Sequence, residues 1–396
     1  MPNKVGPNTV NDSIVFNYDT GDVANSYIGE PTTNLASGLG LIGMAGISLS
    51  YIGLEYGWLK YSMSGTFTGG GYPYIMYLDP VSFTGGQYYS TQAIVKTNVP
   101  TKFNYFGASG VSYVNEPMNA EGTLTQTTLP DGSSYVTRSG FAYTNTTAQP
   151  GYLFTNPINN TTFDASTDFV YLKNFQIEQK YHCTQYTPSS RSATQGLLDI
   201  SGTNNTITLA TSYDNNAQPY FDATDDFMSL GSDVTFKTTG GWTVESIVYY
   251  NGVAGNYNNT TSPANFIGAE DIIHNSWYWS VLENKLALWN ISPGYWRYGS
   301  TILQPNRWYY VALVSLDGGT NYQFYLNGVA EGGDHVAQIW NPNYSGLRIR
   351  YIGKGNNSNP RLVNGRINVT KVYNRALTST EIQKNYSQYK TRFNLQ

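Results

Sequence analysis

Apolar and polar residues alternate one for one near the end of the chain, where Ile367 and Val369 are interleaved with Arg366, Asn368 and Thr370. A period of two predicts a strand with one wet face. The period then changes. Thr378 and Glu381 stand three apart, as the capping box that opens a helix requires. Ile382, Tyr386 and Tyr389 follow at i, i+4 and i+7, which puts them on one stripe that packs against a sheet.

Elsewhere the strand period dominates. Residues 13–19 form a strand that runs into the turn-rich Thr20-Gly21-Asp22. Residues 57–67 alternate, Gly69-Gly70-Gly71 turns the chain, and 72–78 return. Residues 276–282 and 285–290 are predicted to pair as a hairpin across Glu283-Asn284, and 308–314 lead through Asp317-Gly318-Gly319 to 322–326. Asn327-Gly328 follows, a strong hairpin signal because both residues tolerate positive φ. The pattern is all-β with one short C-terminal helix.

Composition agrees with this class and narrows the function. With 396 residues the chain is long enough for two domains. Charged residues make up 12%, aromatics 15%, with 35 Tyr and 40 Gly, a balance suited to a turn-rich β protein with contact surfaces built from Tyr, Asn, Ser and Thr. The net charge of -4 supplies no basic field for nucleic acid. Cys183 is the single cysteine, so no internal disulfide forms. No stretch approaches a membrane span, and residues 1–8 carry neither an apolar run nor a cleavage signal. A protein made in the cytoplasm without a signal peptide is therefore expected.

The wording Val372-Tyr373-Asn374-Arg375-Ala376-Leu377-Thr378, continued by Glu381-Ile382 and Asn385-Tyr386, resembles the closing motif of concanavalin A-like (laminin-G-like) jelly rolls, particularly those on bacteriophage virion proteins. Many of these relatives carry an acidic residue where this chain has Asn368, Thr370 and Lys371. The resemblance runs nearly without a break from Asp199, through 220–228 and 241–249. Residues 13–19 and 26–34 are similar to the family's opening, which normally leads straight into an Asp-x-Ser-Gly-x-x-Asn segment. Here that segment stands at 199–205, so a second domain is expected to be inserted after the first strand. Residues 169–178 are similar to the last strand of carbohydrate-binding-module jelly rolls, whose usual form has an acidic residue in place of Lys173.

The expected organisation is a first strand in 1–30, an inserted jelly roll in 31–190 and the laminin-G-like jelly roll in 191–396. The resemblance implies two antiparallel β-sandwiches in a non-enzymatic phage virion protein on the particle surface, as capsid decoration or as a head, neck or tail fibre. Its partners would be other virion proteins and further copies of itself in a homo-oligomer, with host or environmental glycans as a secondary class. The alternative is a receptor-binding or adhesive lectin that recognises host-surface carbohydrate.

Three constellations bear on chemistry. Glucanases of this superfamily present paired carboxylates from one strand, whereas Glu245 is the single acid on the comparable strand here, and His182, His274 and His335 lack metal-ligand spacing. No catalytic residue and no cofactor are assigned. Asp222, Asp225 and Asp226 cluster on a turn. They suit either calcium, through hard oxygen ligands, or, as the preferred reading, turn capping through backbone amides. The densest aromatic stretch holds Trp277, Tyr278, Trp279, Trp289, Tyr295, Trp296 and Tyr298. Trp277 and Trp279 share a face and are expected in the core. Tyr295, Trp296 and Tyr298 follow Pro293-Gly294, are expected in a loop, and with Trp340 are the candidate contacts for a partner or glycan.

Overall fold

The computed structural model describes residues 8–396 apart from 37–40, 44–45, 69–75, 82–83, 85, 107–122, 143–148, 154, 236–239, 253–263, 269–276, 291–294, 318–320, 333–347 and 358–359. The chain divides into two compact units. Met1–Pro31, Ser192–Asp214 and Gln218–Gln396 make one; Thr32–Arg191 with Asn215–Ala217 make the other. Every strand pair among the described residues is antiparallel.

The larger unit is a jelly roll of two sheets. Its first sheet is centred on Trp242–Tyr250, flanked by Asn364–Tyr373 and Arg307–Ser315. The strand Ile14–Asp19 joins the far side of Asn364–Tyr373, with Phe16 opposite Val372 and Tyr18 opposite Thr370. The second sheet runs in the order Ile207–Ala210, Phe227–Thr235, Arg348–Ile352, Ala264–Gly268, Trp277–Leu282, Lys285–Asn290, Tyr295–Tyr298. Alternation sends Val244, Val248, Leu313 and Ile367 of the first sheet and Trp277, Trp279, Leu286 and Leu288 of the second into one shared core. Glu283 and Asn284 take φ of 52° and 59°, the left-handed pair a two-residue hairpin needs to match strand twist.

The opposite face of the first sheet is covered by the helix Ser379–Phe393. Its stripe of Ile382, Tyr386, Tyr389 and Phe393 packs with Ile247, Tyr310, Val314 and Tyr373 in a second core. The capping box is formed in both directions between Thr378 and Glu381. Arg375 grips the same Glu381 with two bonds of 2.9 and 2.6 Å, and this guanidinium together with the cap holds the Glu381 carboxyl down at about 2. At the helix end, Arg392 meets the buried Asp19 in a second two-pronged pair of 2.7 and 2.6 Å. Asn394 closes the helix in the left-handed conformation. Among the described residues no helix is long and apolar enough to cross a membrane.

The smaller unit is built on a seven-stranded sheet that includes Ile47–Glu55, Trp58–Phe67, Phe169–Glu178, Tyr88–Thr97 and Ser134–Ala142, with smaller sheets beside it. Tyr61, Met63, Ala93, Val95, Val136, Val170 and Leu172 form its core. Trp58, Lys60, Tyr171 and Lys96, at the alternate positions of those strands, face the other way.

Candidate functional site

The single acid weighed for catalysis is sealed. Glu245 lies on the helix-covered face of the first sheet and is 1% exposed. Tyr310 donates its hydroxyl to Oε2 at 2.6 Å, and the Asn385 side-chain amide, from the helix, reaches both carboxylate oxygens at 2.9 and 3.1 Å. The Tyr373 hydroxyl lies 3.0 Å from Oε1. Lys371 stands opposite Glu245 in strand register. It too is buried, its ammonium bonds the Thr9 hydroxyl, and burial pulls its pKa down against the opposing pull of Glu245. Burial and the Glu245 charge push Tyr310 and Tyr373 well above the ordinary tyrosine range. The group is a polar knot that joins three strands, the helix and the N-terminal segment.

The aromatic residues sit on the other side of the molecule's larger unit. Tyr295, Trp296 and Tyr298 do not lie in a loop: Tyr295–Tyr298 is the last strand of the second sheet. The Pro293-Gly294 signal predicts a loop, but a Tyr-Trp-Arg-Tyr run has strong strand propensity and pairs with Lys285–Asn290. Register decides which side chains meet. Tyr278, Trp289 and Trp296 stand opposite one another across three strands, and Ser280, Ala287 and Tyr298 form the next row. Both rows face away from the core that holds Trp277, Trp279, Leu286 and Leu288.

The Trp289 and Trp296 rings lie 5.2 Å apart, inclined at 45°, and both are half-buried, as is Tyr298. Burial, then the Glu283 charge, raises the Tyr298 hydroxyl. One end of the strip is closed, since Arg361 lies over the buried Tyr278 ring at 5.7 Å and Asn356 bonds its hydroxyl. Asn265, opposite Ser280 and so in the row that ends at Tyr298, is fully buried. Neither atom of its side-chain amide has a hydrogen-bond partner among the described residues. Trp289 joins Trp296 and Tyr298 in a strip that sequence reasoning did not assemble, and Asn265 lies in the buried part of its second row. The signal for Trp289 was its position in a hairpin whose next strand carries Trp296; Asn265 carried none. Trp340 lies outside the described residues.

Asp222, Asp225 and Asp226 come together, with one carboxylate oxygen from each within 4.8 Å of the others. Turn-capping contacts are present: the Asp222 N–H donates to Asp226 at 2.8 Å and the Thr224 N–H to Asp222 at 2.7 Å. The donor set, all carboxylate oxygen, also fits a hard cation. Burial, and behind it the Asp222 charge, pushes Asp226 up to about 6. Because the folded state holds this proton more tightly than the unfolded chain, the contribution of Asp226 to stability is fully present below the ordinary aspartate value near 4 and is lost as pH rises through about 6. Asp226→Asn is expected to remove that decline in a series of thermal melts. If calcium takes the cluster, millimolar calcium at pH 7 raises the wild-type midpoint and leaves that of Asp226→Asn unmoved; equal response of both proteins counts against the cation.

Residues 221–383 match the model of the concanavalin A-like lectin/glucanases superfamily. No curated protein matches the chain. Among solved structures, domain 4 of AbnA, an extracellular arabinanase from Geobacillus stearothermophilus solved with arabinotriose, is 15% identical at a TM-score of 0.35, covering 49% of this chain and 93% of that one. The botulinum neurotoxin type G receptor-binding domain is 15% identical at a TM-score of 0.36, covering 50% and 49%. The binding domain of paraclostridial mosquitocidal protein 1 is 12% identical at a TM-score of 0.35, covering 49% of each chain. This chain thus spans about half the length of the two toxin chains. At such identities and scores these likenesses say nothing of ligand. The larger unit holds a concanavalin A-like jelly-roll domain.

Proposed function

We propose that the chain is a non-catalytic binding protein, a lectin-like adhesin or receptor-binding protein whose contact surface is the Trp289, Trp296 and Tyr298 strip of the second sheet. The observation that carries this reading is the division of labour between the two sheet faces. The carboxylate that could serve hydrolysis is locked under the helix by four polar neighbours, while the half-buried indole pair lies on the other sheet, on the face turned away from the core. Aromatic rings with apolar faces and polar edges suit the C–H faces of sugar rings and equally suit a protein partner.

A glycan array tests the sugar reading. Wild-type chain is expected to give ring-dependent signals that fall about tenfold or more in Trp296→Ala, the loss of one stacked aromatic contact. An array without signal removes the lectin reading and leaves a protein partner.

The second reading is a virion surface protein, supported by the resemblance of 372–382 and Asn385-Tyr386 to phage relatives. Here the strip would bind neighbouring subunits or other particle proteins. Mass spectrometry of purified particles tests it: a fixed copy ratio to the major shell protein supports the reading, and absence from intact particles ends it.

A further inference from the structure

We infer that the outward face of the smaller unit's seven-stranded sheet is a second, separate binding surface, made for an acidic polysaccharide bearing carboxylate or sulfate groups. Lys60 and Lys96 stand on either side of Tyr171 in strand register, so their backbones are about 10 Å apart, two strand spacings. Lys173 lies two residues along the central strand on the same face. The rings of this face hold the ammoniums from behind. Lys60 sits 4.0 Å from the centre of Phe169, and Lys96 sits 4.2 Å from the centre of Trp58 and 5.2 Å from Tyr171. Lys173 is 5.8 Å from Trp58.

In a chain with 22 lysines and arginines in 396 residues and a net charge of -4, three ammoniums on one sheet face are a local reversal of sign. Two acids approach them. Glu55 bonds Lys60 at 2.7 Å, and Asp131, itself tied to Ser133, feels the charge of Lys96. Lys96 and Lys173 have no ion-pair partner among the described residues, and Lys173 is exposed. They straddle Trp58 with their charge directed over an aromatic floor.

A cation held over a ring keeps its remaining protons for a second acceptor. A ligand matched to this surface has flat apolar faces and anionic groups spaced along it, which describes an acidic polysaccharide. Nucleic acid fits less well, because its dense phosphate charge needs many cations at once and meets a chain that is negative overall.

The test uses the full chain on immobilised polygalacturonate and dextran sulfate, with neutral dextran and an oligothymidylate as controls. Retention on the two acidic polymers at low salt, released as salt rises, and none on dextran is the expected result. Lys96→Gln/Lys173→Gln should weaken binding about tenfold, as loss of two exposed ion pairs of ordinary strength gives, with the thermal midpoint unchanged. Should that pair disturb folding, Lys173→Glu alone, at an exposed position, reads the same effect. Trp296→Ala should bind the acidic polymers as wild type does, which separates this surface from the strip on the larger unit. Equal retention on dextran, or undiminished binding by a folded lysine variant, overturns the inference. Tighter binding to the oligothymidylate than to either polysaccharide overturns the choice of ligand.

Discussion

Replacing Glu245 with alanine is expected to cost the concanavalin A-like unit about 3–5 kcal/mol, the usual penalty for removing one partner of a buried charge network. The carboxylate accepts from Tyr310 and from Asn385 at both oxygens, and Lys371 faces it across the ladder. Truncation strands these donors and removes one of the two carboxylates, Glu245 and Asp19, whose charges act on the buried Lys371 ammonium. Glu245→Gln is isosteric and still damaging, because on either side its NH2 group meets the Asn385 amide donor, whose oxygen is held by the Val10 N–H; about 1–3 kcal/mol is expected for the unsatisfied polar atoms. Urea unfolding followed by tryptophan fluorescence measures both, with the midpoint shifting and the slope unchanged. A loss below about 1 kcal/mol for the alanine variant, the size of an exposed pair, contradicts the view of Glu245 as scaffold.

The second large effect is expected at Arg392. Its two bonds to Asp19 join the last turn of the helix to the first strand, and Asp19 is 3% exposed. Arg392→Ala leaves that carboxylate buried, with the Gly21 N–H as one remaining donor, at a cost of about 2–4 kcal/mol. Arg392→Lys should recover little, since an ammonium cannot make the two parallel bonds. The double variant Arg392→Met/Asp19→Asn should be more stable than Arg392→Ala, because it removes the stranded charge as well as the pair. If the single alanine variant unfolds with the wild type in the same urea series, the pair is not what fixes the helix end.

The elements with a strong local signature were legible in the sequence. The capping box, the Ile382, Tyr386 and Tyr389 stripe, the Glu283-Asn284 turn and the inward Trp277 and Trp279 all follow from spacing and turn chemistry within a few residues. What escaped depends on register between distant segments. The pairing of Trp289 with Trp296 needs the strand Tyr295–Tyr298 to fold back on its neighbour, and Pro293-Gly294 pointed to a loop instead. The burial of Glu245 requires Lys371, Tyr373 and Asn385 to arrive from more than 100 positions away; nothing local to 242–250 announces it. Likewise Lys60, Lys96, Tyr171 and Lys173 come from three strands whose alternation is ordinary one by one, and only the sheet puts their charges on one face.

Hydrogen exchange of the chain with and without its best array ligand tests the central claim most directly, because it reports which face is covered. The account predicts slowed exchange in 285–290 and 295–298, with the strands and helix around Glu245 unchanged. Protection centred on 366–393, or on residues around Glu245, would place the ligand on the face assigned here to scaffold and contradict the account.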